Sequence, residues 1–189
     1  MKDIYLFRHG QAHANRRDFA AFGNEDSPLT DHGIAQILLG SYAHEVKTGF
    51  RAKEYAKSVA ASGYTRAQYS ARVFGFRGID VLRLINESNV DEEIISGVDV
   101  IAKHRKELWV PPETQDRVDE LYEEIESRRF SYEYYFTHGM FMAGFVLSGL
   151  TRGIDVRIPF DEQRGFIALQ AAGIKAEIED ASIKVLTLA

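Results

Sequence analysis

An α/β fold built around a largely parallel sheet is expected for this 189-residue chain, and three features carry that expectation. Short apolar runs alternate with helical patterns, the arrangement of successive βαβ units. Two of those runs, "IYLFRHG" and "YEYYFTHG", end on a histidine–glycine pair, His9–Gly10 and His138–Gly139. Polar clusters also follow the other apolar runs, and open parallel sheets bind ligands beyond the carboxyl ends of their strands.

Taken in order, Asp3 to Phe7 reads as a short buried strand. Residues 8–28 read as a long polar loop carrying Gly10, Gly23, Asn24 and Pro28, and loops of that length are usually functional. "LTDHGIAQILLGSYAHEV" is a helix with Ile34, Ile37, Leu38 and Tyr42 at helical spacing and Thr30 or Asp31 as N-cap. Tyr55 to Ala61 is a strand, "SGYTRAQYSARVFG" a helix starting near Ser62 and closed by Gly75, and Val81 to Ile85 a further strand.

Residues 86–129 lack a good strand pattern. They offer helices at Glu92 to Leu108 and, after Pro111-Pro112, at Gln115 to Arg129 with Thr114 as cap, and are expected to form a helical cap on a single domain spanning 1–189. Ser131 to Thr137 is a strand, Met140 to Leu150 a buried helix, and 165–171 and 174–188 supply closing strands.

The composition, 45% hydrophobic and 27% charged, suits a globular core. The absence of cysteine rules out disulfides and thiolate metal sites and fits a reducing compartment. A formal net charge of -5 disfavours non-specific nucleic-acid binding. No apolar run approaches the ~20 residues of a membrane span, and Arg8 interrupts the first apolar run too early for a signal peptide. A cytoplasmic enzyme or binding domain with no membrane or nucleic-acid partner is the expectation. The sequence says nothing about oligomeric state.

A buried strand that delivers Arg8 and His9 to its end needs a partner for that charge, either an internal carboxylate or an exchangeable anion. Four ordered blocks favour the anion. "RHGQAHAN" (Arg8, His9, Gly10, Asn15), "LTDHGIAQ" (Leu29, Thr30, Gly33, Gln36), "SGYTRAQYSA" (Ser62, Arg66, Ala67, Ser70) and "THGMF" (His138, Gly139) together resemble the histidine phosphatase, or phosphoglycerate mutase-like, superfamily. The resemblance runs from residue 4 to about residue 150. It implies a three-layer sandwich with a mostly parallel central sheet and a metal-free, cofactor-free phosphatase acting on a small phosphorylated substrate, with a phosphoprotein as the larger possibility.

The chemistry of the residues agrees. Planar guanidinium groups bind phosphate oxygens in pairs, so Arg8 and Arg66 form a clamp, with His138, Asn15 and Gly139 as further contacts. His9 is the nucleophile, giving a phosphohistidine. Glu87, in "LINESN", is the expected general acid and base; Glu92 and Glu93 compete for that role.

Blander assignments exist for each group: an Arg8–Glu87 ion pair, a helix-capping His138, a solvated Arg66, an Asn15 that only organises its loop, and Thr30 as N-cap rather than ligand contact. Arg16 and Arg17 reach a second anionic group or are simply solvated. A metal site built from His9, His13, Glu87 and His138 is disfavoured because histidines four apart share a face only on a helix. His32, His44 and His104 read as surface helix residues. Two other activities use the same core: a mutase returning the phosphoryl group to a second hydroxyl, and a non-catalytic phospho-ligand-binding module. Ser88 and Asn89 behind Glu87, where the family's mutases carry an arginine, argue against the mutase.

Overall fold

A computed structural model describes residues 4–13, 27–49, 59–87 and 112–152. Along the chain these form β1 (Tyr5–Arg8), α1 (Asp31–Thr48), β2 (Val59–Ala61), α2 (Thr65–Phe74), β3 (Asp80–Val81), a 3-10 turn (Arg83–Ile85), α3 (Pro112–Glu126), β4 (Tyr134–Thr137) and α4 (Gly139–Thr151). The four strands make one sheet in the order β1-β4-β2-β3, and every pairing is parallel.

The inner strands β2 and β4 and the centre of β1 are buried on both faces, as parallel strands covered by helices must be, whereas the edge strand β3 is exposed. Their two-residue period divides the core in two. Leu6, Ala60 and Tyr135 meet Val118, Leu121 and Tyr122 of α3 and Phe141, Met142 and Phe145 of α4. Phe7, Val59, Ala61, Tyr134 and Phe136 meet Ile37 of α1 and Ala67, Ala71 and Phe74 of α2. Each such large side chain contributes roughly 1.5–3 kcal/mol on burial, and the result is the expected helix–sheet–helix sandwich. Within it, α3 belongs to the core layer. The expected helix at Glu92 to Leu108 and the closing strands at 165–171 and 174–188 lie outside the described residues.

Four local expectations need correction. The inward face of α1 is Gly33, Ile37, Gly40 and His44, whereas Leu38 and Tyr42 are 53% and 67% exposed. His44 is therefore a core residue. Its Nε2 lies 3.3 Å from the Tyr134 hydroxyl and its ring meets Tyr5 and Phe7 edge-on, so the imidazole is accommodated among aromatic rings. Val81 to Ile85 is not a strand: β3 stops at Val81, and the chain folds into the 3-10 turn, with Thr137 Oγ1 donating to the Ile85 carbonyl at 2.6 Å. That turn swings the following residues over the sheet's end. Thr114 is not a cap but a buried residue inside α3, which begins instead at Pro112, where a missing N–H costs nothing. Among the described residues, no helix is long and apolar enough to cross a membrane.

Candidate active site

Strand register builds the centre of the site. Arg8 pairs with Thr137, so the next residue on each strand, His9 and His138, emerges side by side, with ring centroids 5.0 Å apart. The His9 N–H donates to the Thr137 carbonyl at 3.1 Å, and the Ser62 N–H to the Phe136 carbonyl at 2.9 Å. Three parallel strands thus deliver His9, Ser62 and His138 to one edge, and α2 adds Arg66 from its first turn.

The loop leaving β1 is seated on the start of α1 backbone against backbone. A Cβ on Gly10 would strike the Gly33 carbonyl, and one on Gly33 would strike the Gln11 backbone. Around this contact, the Thr30 N–H donates to the Gln11 carbonyl at 2.9 Å, and the Gln11 N–H to Gln36 Oε1 at 3.0 Å. Thr30 Oγ1 caps α1 by accepting the Gly33 N–H, as expected of the N-cap. On the other side, the Gly10 N–H donates to Ser70 Oγ at 3.0 Å.

His9 is buried, and its Nδ1 lies 2.7 Å from the Gly10 carbonyl. A carbonyl only accepts, so Nδ1 carries the proton and Nε2 keeps its lone pair. The Arg66 Nε–H points at that lone pair from 3.2 Å. Burial, then the Arg8 and Arg66 charges, push the His9 pKa well below 6.5, so the imidazole is neutral near pH 7. Arg8 itself has its pKa lowered by burial and by Arg66, with Glu87 opposing.

His138 is fully buried and likewise held neutral, by burial first and then by His9, Arg66, Arg8 and Arg117. Its Nε2 sits 2.7 Å from Ser62 Oγ, which also accepts the Tyr64 N–H. Its Nδ1 is 3.4 Å from Glu87 Oε2 and makes no hydrogen bond. Glu87 Oε2 also accepts from Arg66 Nη2 at 3.2 Å, and a bare imidazole lone pair facing that oxygen would be repelled. Nδ1 therefore carries the proton, and Ser62 donates to Nε2. The contact with Glu87 falls short of a hydrogen bond, and an incoming anion would accept from Nδ1 in its place. With both histidines neutral, the guanidinium groups of Arg8 and Arg66 face one acidic side chain, Glu87, at the centre.

Ligand atoms of His9, Glu87 and His138 all lie within 4.8 Å of one another, a spacing that could hold a metal ion; His13 is not among them. Arg66 already occupies His9 Nε2 and Glu87 Oε2, and displacing it would set a metal beside two guanidinium charges.

Of the residues singled out from sequence, Arg8, His9, Arg66, Glu87 and His138 converge, and Gly139 opens α4 directly behind His138. Asn15, Arg16, Arg17, Glu92, Glu93 and His104 lie outside the described residues. Sequence reading assigned no task to Ser62, Ser70, Asn86 or Arg117. Ser62 and Ser70 sit inside a recognised block, where spacing alone cannot assign a partner; Arg117 carries no motif.

Residues 4–93 match the family model described as histidine phosphatase superfamily (branch 1). No curated protein matches the sequence. Among solved structures, phosphoserine phosphatase from Entamoeba histolytica in complex with 3-phosphoglyceric acid is similar at a TM-score of 0.58 and 16% identity, covering 80% of this chain and 81% of that one. A mutant of that enzyme in complex with phosphoserine gives 0.55 at 16% identity and the same coverage. A mycobacterial hydrolase gives 0.53 at 17% identity, covering 78% of this chain and 80% of that one. At these identities the likeness is one of fold.

Proposed function

We propose that the chain is a histidine phosphatase superfamily enzyme, the family whose model its residues 4–93 match, and that it hydrolyses phosphate monoesters through a phosphohistidine on His9. The observation that carries this reading is the state of His9: neutral, fixed by the Gly10 carbonyl, with its Nε2 lone pair beside the guanidinium of Arg66. Such an imidazole is a nucleophile next to a phosphate clamp.

In the first half-reaction Arg8, Arg66 and His138 Nδ1–H bind the phosphoryl oxygens. Arg66 gives up the His9 lone pair to do so. Nε2 then attacks phosphorus, the bond to the ester oxygen breaks, and Glu87, which enters the cycle protonated, passes its proton to that oxygen. In the second half Glu87 takes a proton from water, water attacks phosphorus, and the Nε2–P bond breaks to release inorganic phosphate. Donors already aimed at the equatorial oxygens supply most of the stabilisation. Asn15 and Gly139 belong to the same clamp in this reading, a small phosphorylated molecule is the substrate, and the compartment is cytoplasmic.

The test is trapping. Wild-type protein mixed with p-nitrophenyl phosphate and quenched in alkali, where phosphohistidine survives, should carry phosphate on His9 and release inorganic phosphate in solution. His9→Ala should lose turnover by at least about 10³-fold while still binding inorganic phosphate. The rate should be unchanged by EDTA. Retained turnover in His9→Ala would remove His9 as nucleophile; a chelator-sensitive rate restored by zinc or magnesium would replace the mechanism by a metal-assisted one.

A further inference from the structure

We infer that Arg117, on α3, is a positioning residue for the carboxylate of Glu87, acting through the Asn86 carbonyl. The inference rests on the phosphatase reading above, in which Glu87 is the general acid and base.

Glu87 follows a short turn rather than a regular element, so no helix or strand ladder fixes the direction of its side chain. Side chains do so instead. The direction of the Cα–Cβ bond at residue 87 is set by the two peptide planes on either side of it. Arg117 Nη1 donates to the Asn86 carbonyl at 2.8 Å, fixing the plane before Glu87. The Tyr64 hydroxyl donates to the Glu87 carbonyl at 3.2 Å, fixing the plane after it. One residue earlier, Asn86 is anchored by its own side chain, whose Oδ1 accepts the Gly63 N–H at 2.6 Å.

An ordinary helix-surface role does not account for Arg117. Its bonds to Glu113, one turn back, are weak ones, an exposed Nε–H to the backbone carbonyl at 3.3 Å and an ion pair 3.9 Å long to a side chain 74% exposed; exposed pairs contribute about 0–1 kcal/mol. The Arg117 side chain is only 18% exposed, and its charge is felt at His138. The guanidinium therefore spends its burial on the approach to the site. Through this bond α3 is tied to the aim of Glu87.

Arg117→Met keeps the aliphatic bulk and removes the donors; Arg117→Lys keeps the charge and one donor. Turnover of p-nitrophenyl phosphate, whose leaving group needs little protonation, should change less than twofold in either variant, roughly the span of a retained clamp. Turnover of an alkyl phosphate such as β-glycerophosphate should fall about 10- to 30-fold in Arg117→Met and recover most of that in Arg117→Lys, the scale of a misaimed general acid. Inhibition by inorganic phosphate should stay unchanged, since the clamp is elsewhere. In the double variant with Glu87→Gln, the Arg117→Met loss should disappear, because a carboxamide cannot serve as the acid however it is aimed.

Equal slowing of both substrates by Arg117→Met, or losses that multiply in the double variant, would overturn the inference. So would weakened phosphate inhibition in both Arg117 variants, which would assign the residue to the fold. Should Glu87→Gln alone show no leaving-group dependence, the general-acid reading falls and takes this inference with it. An intact Glu87→Gln effect beside an indifferent Arg117→Met overturns the inference alone.

Discussion

The two sides of the site are held by different means. On the His9 side, the loop after β1 rests on α1 through glycine backbone, Gly10 against Gly33 and Gly33 against Gln11, and the Ser70 and Gln36 side chains only add hydrogen bonds around that contact. On the Glu87 side, the chain is suspended from side-chain donors, Arg117 and Tyr64, and the Glu87 side chain is 30% exposed. Backbone contact leaves no room for adjustment, whereas side-chain tethers can be exchanged one at a time. The nucleophile is thus fixed by the fold, and the acid is fixed by a few replaceable hydrogen bonds.

The most damaging test of this contrast is Gly33→Ala. The added Cβ would meet the Gln11 backbone, so α1 and the His9 loop must part. Overpacking of this kind costs typically 1–3 kcal/mol or more, and here it also moves the nucleophile. Turnover of activated and poor substrates should fall together by at least about 100-fold, with a lower midpoint in thermal unfolding. A fully active Gly33→Ala protein would show that the backbone contact is not what fixes His9. On the opposite side, Glu87→Gln should slow alkyl phosphates by about 10²–10⁴-fold while p-nitrophenyl phosphate is affected far less, and phosphohistidine should accumulate in the steady state. Slowing of both substrates alike, without accumulation, would make Glu87 structural.

The buried histidines give the contrast a pH signature. His9 and His138 have pKa values pushed well below 6.5 by burial and by the neighbouring guanidinium charges. Above 6.5 they are neutral in folded and unfolded chain alike, and their titration is silent. As pH falls below 6.5 the unfolded chain takes up protons that the folded one refuses, so stability is lost progressively toward the folded pKa values, by up to about 1.4 kcal/mol per pH unit per histidine. Unfolding midpoints measured from pH 7.5 to 5 should fall with acid, and His138→Asn should fall less steeply. Parallel slopes would mean that His138 is not held neutral.

Much of this was legible in the sequence. The two His–Gly strand ends, the Arg66 helix start and the Thr30 cap are local patterns, and parallel pairing turns them into one site. What escaped depends on contacts between elements distant in sequence. The helical spacing of Ile34, Ile37, Leu38 and Tyr42 marked α1, and Ile37 does face inward, yet the close approach at Gly33 turns Leu38 and Tyr42 outward and brings His44 inward. Val81 to Ile85 has strand composition, but tertiary hydrogen bonding folds most of it into a turn. Arg117 has no pattern of its own; its partner carbonyl is defined only once α3 lies against that turn.

The finest probe of the comparison is Tyr64→Phe. The Tyr64 ring lies 4.8 Å from His138 and beneath the Arg66 guanidinium at 4.6 Å, while its hydroxyl alone reaches the Glu87 carbonyl. Phenylalanine keeps both ring contacts and removes one hydrogen bond, whose net worth is about 0.5–1.5 kcal/mol. If the two sides of the site are held independently, inhibition by inorganic phosphate should not change, because the ring still supports the clamp. Turnover of an alkyl phosphate should drop by roughly 2- to 10-fold, the same energy expressed as a rate, and p-nitrophenyl phosphate should be nearly unaffected. Weaker phosphate inhibition in Tyr64→Phe would show instead that the hydroxyl supports both sides, and that clamp and acid share a tether.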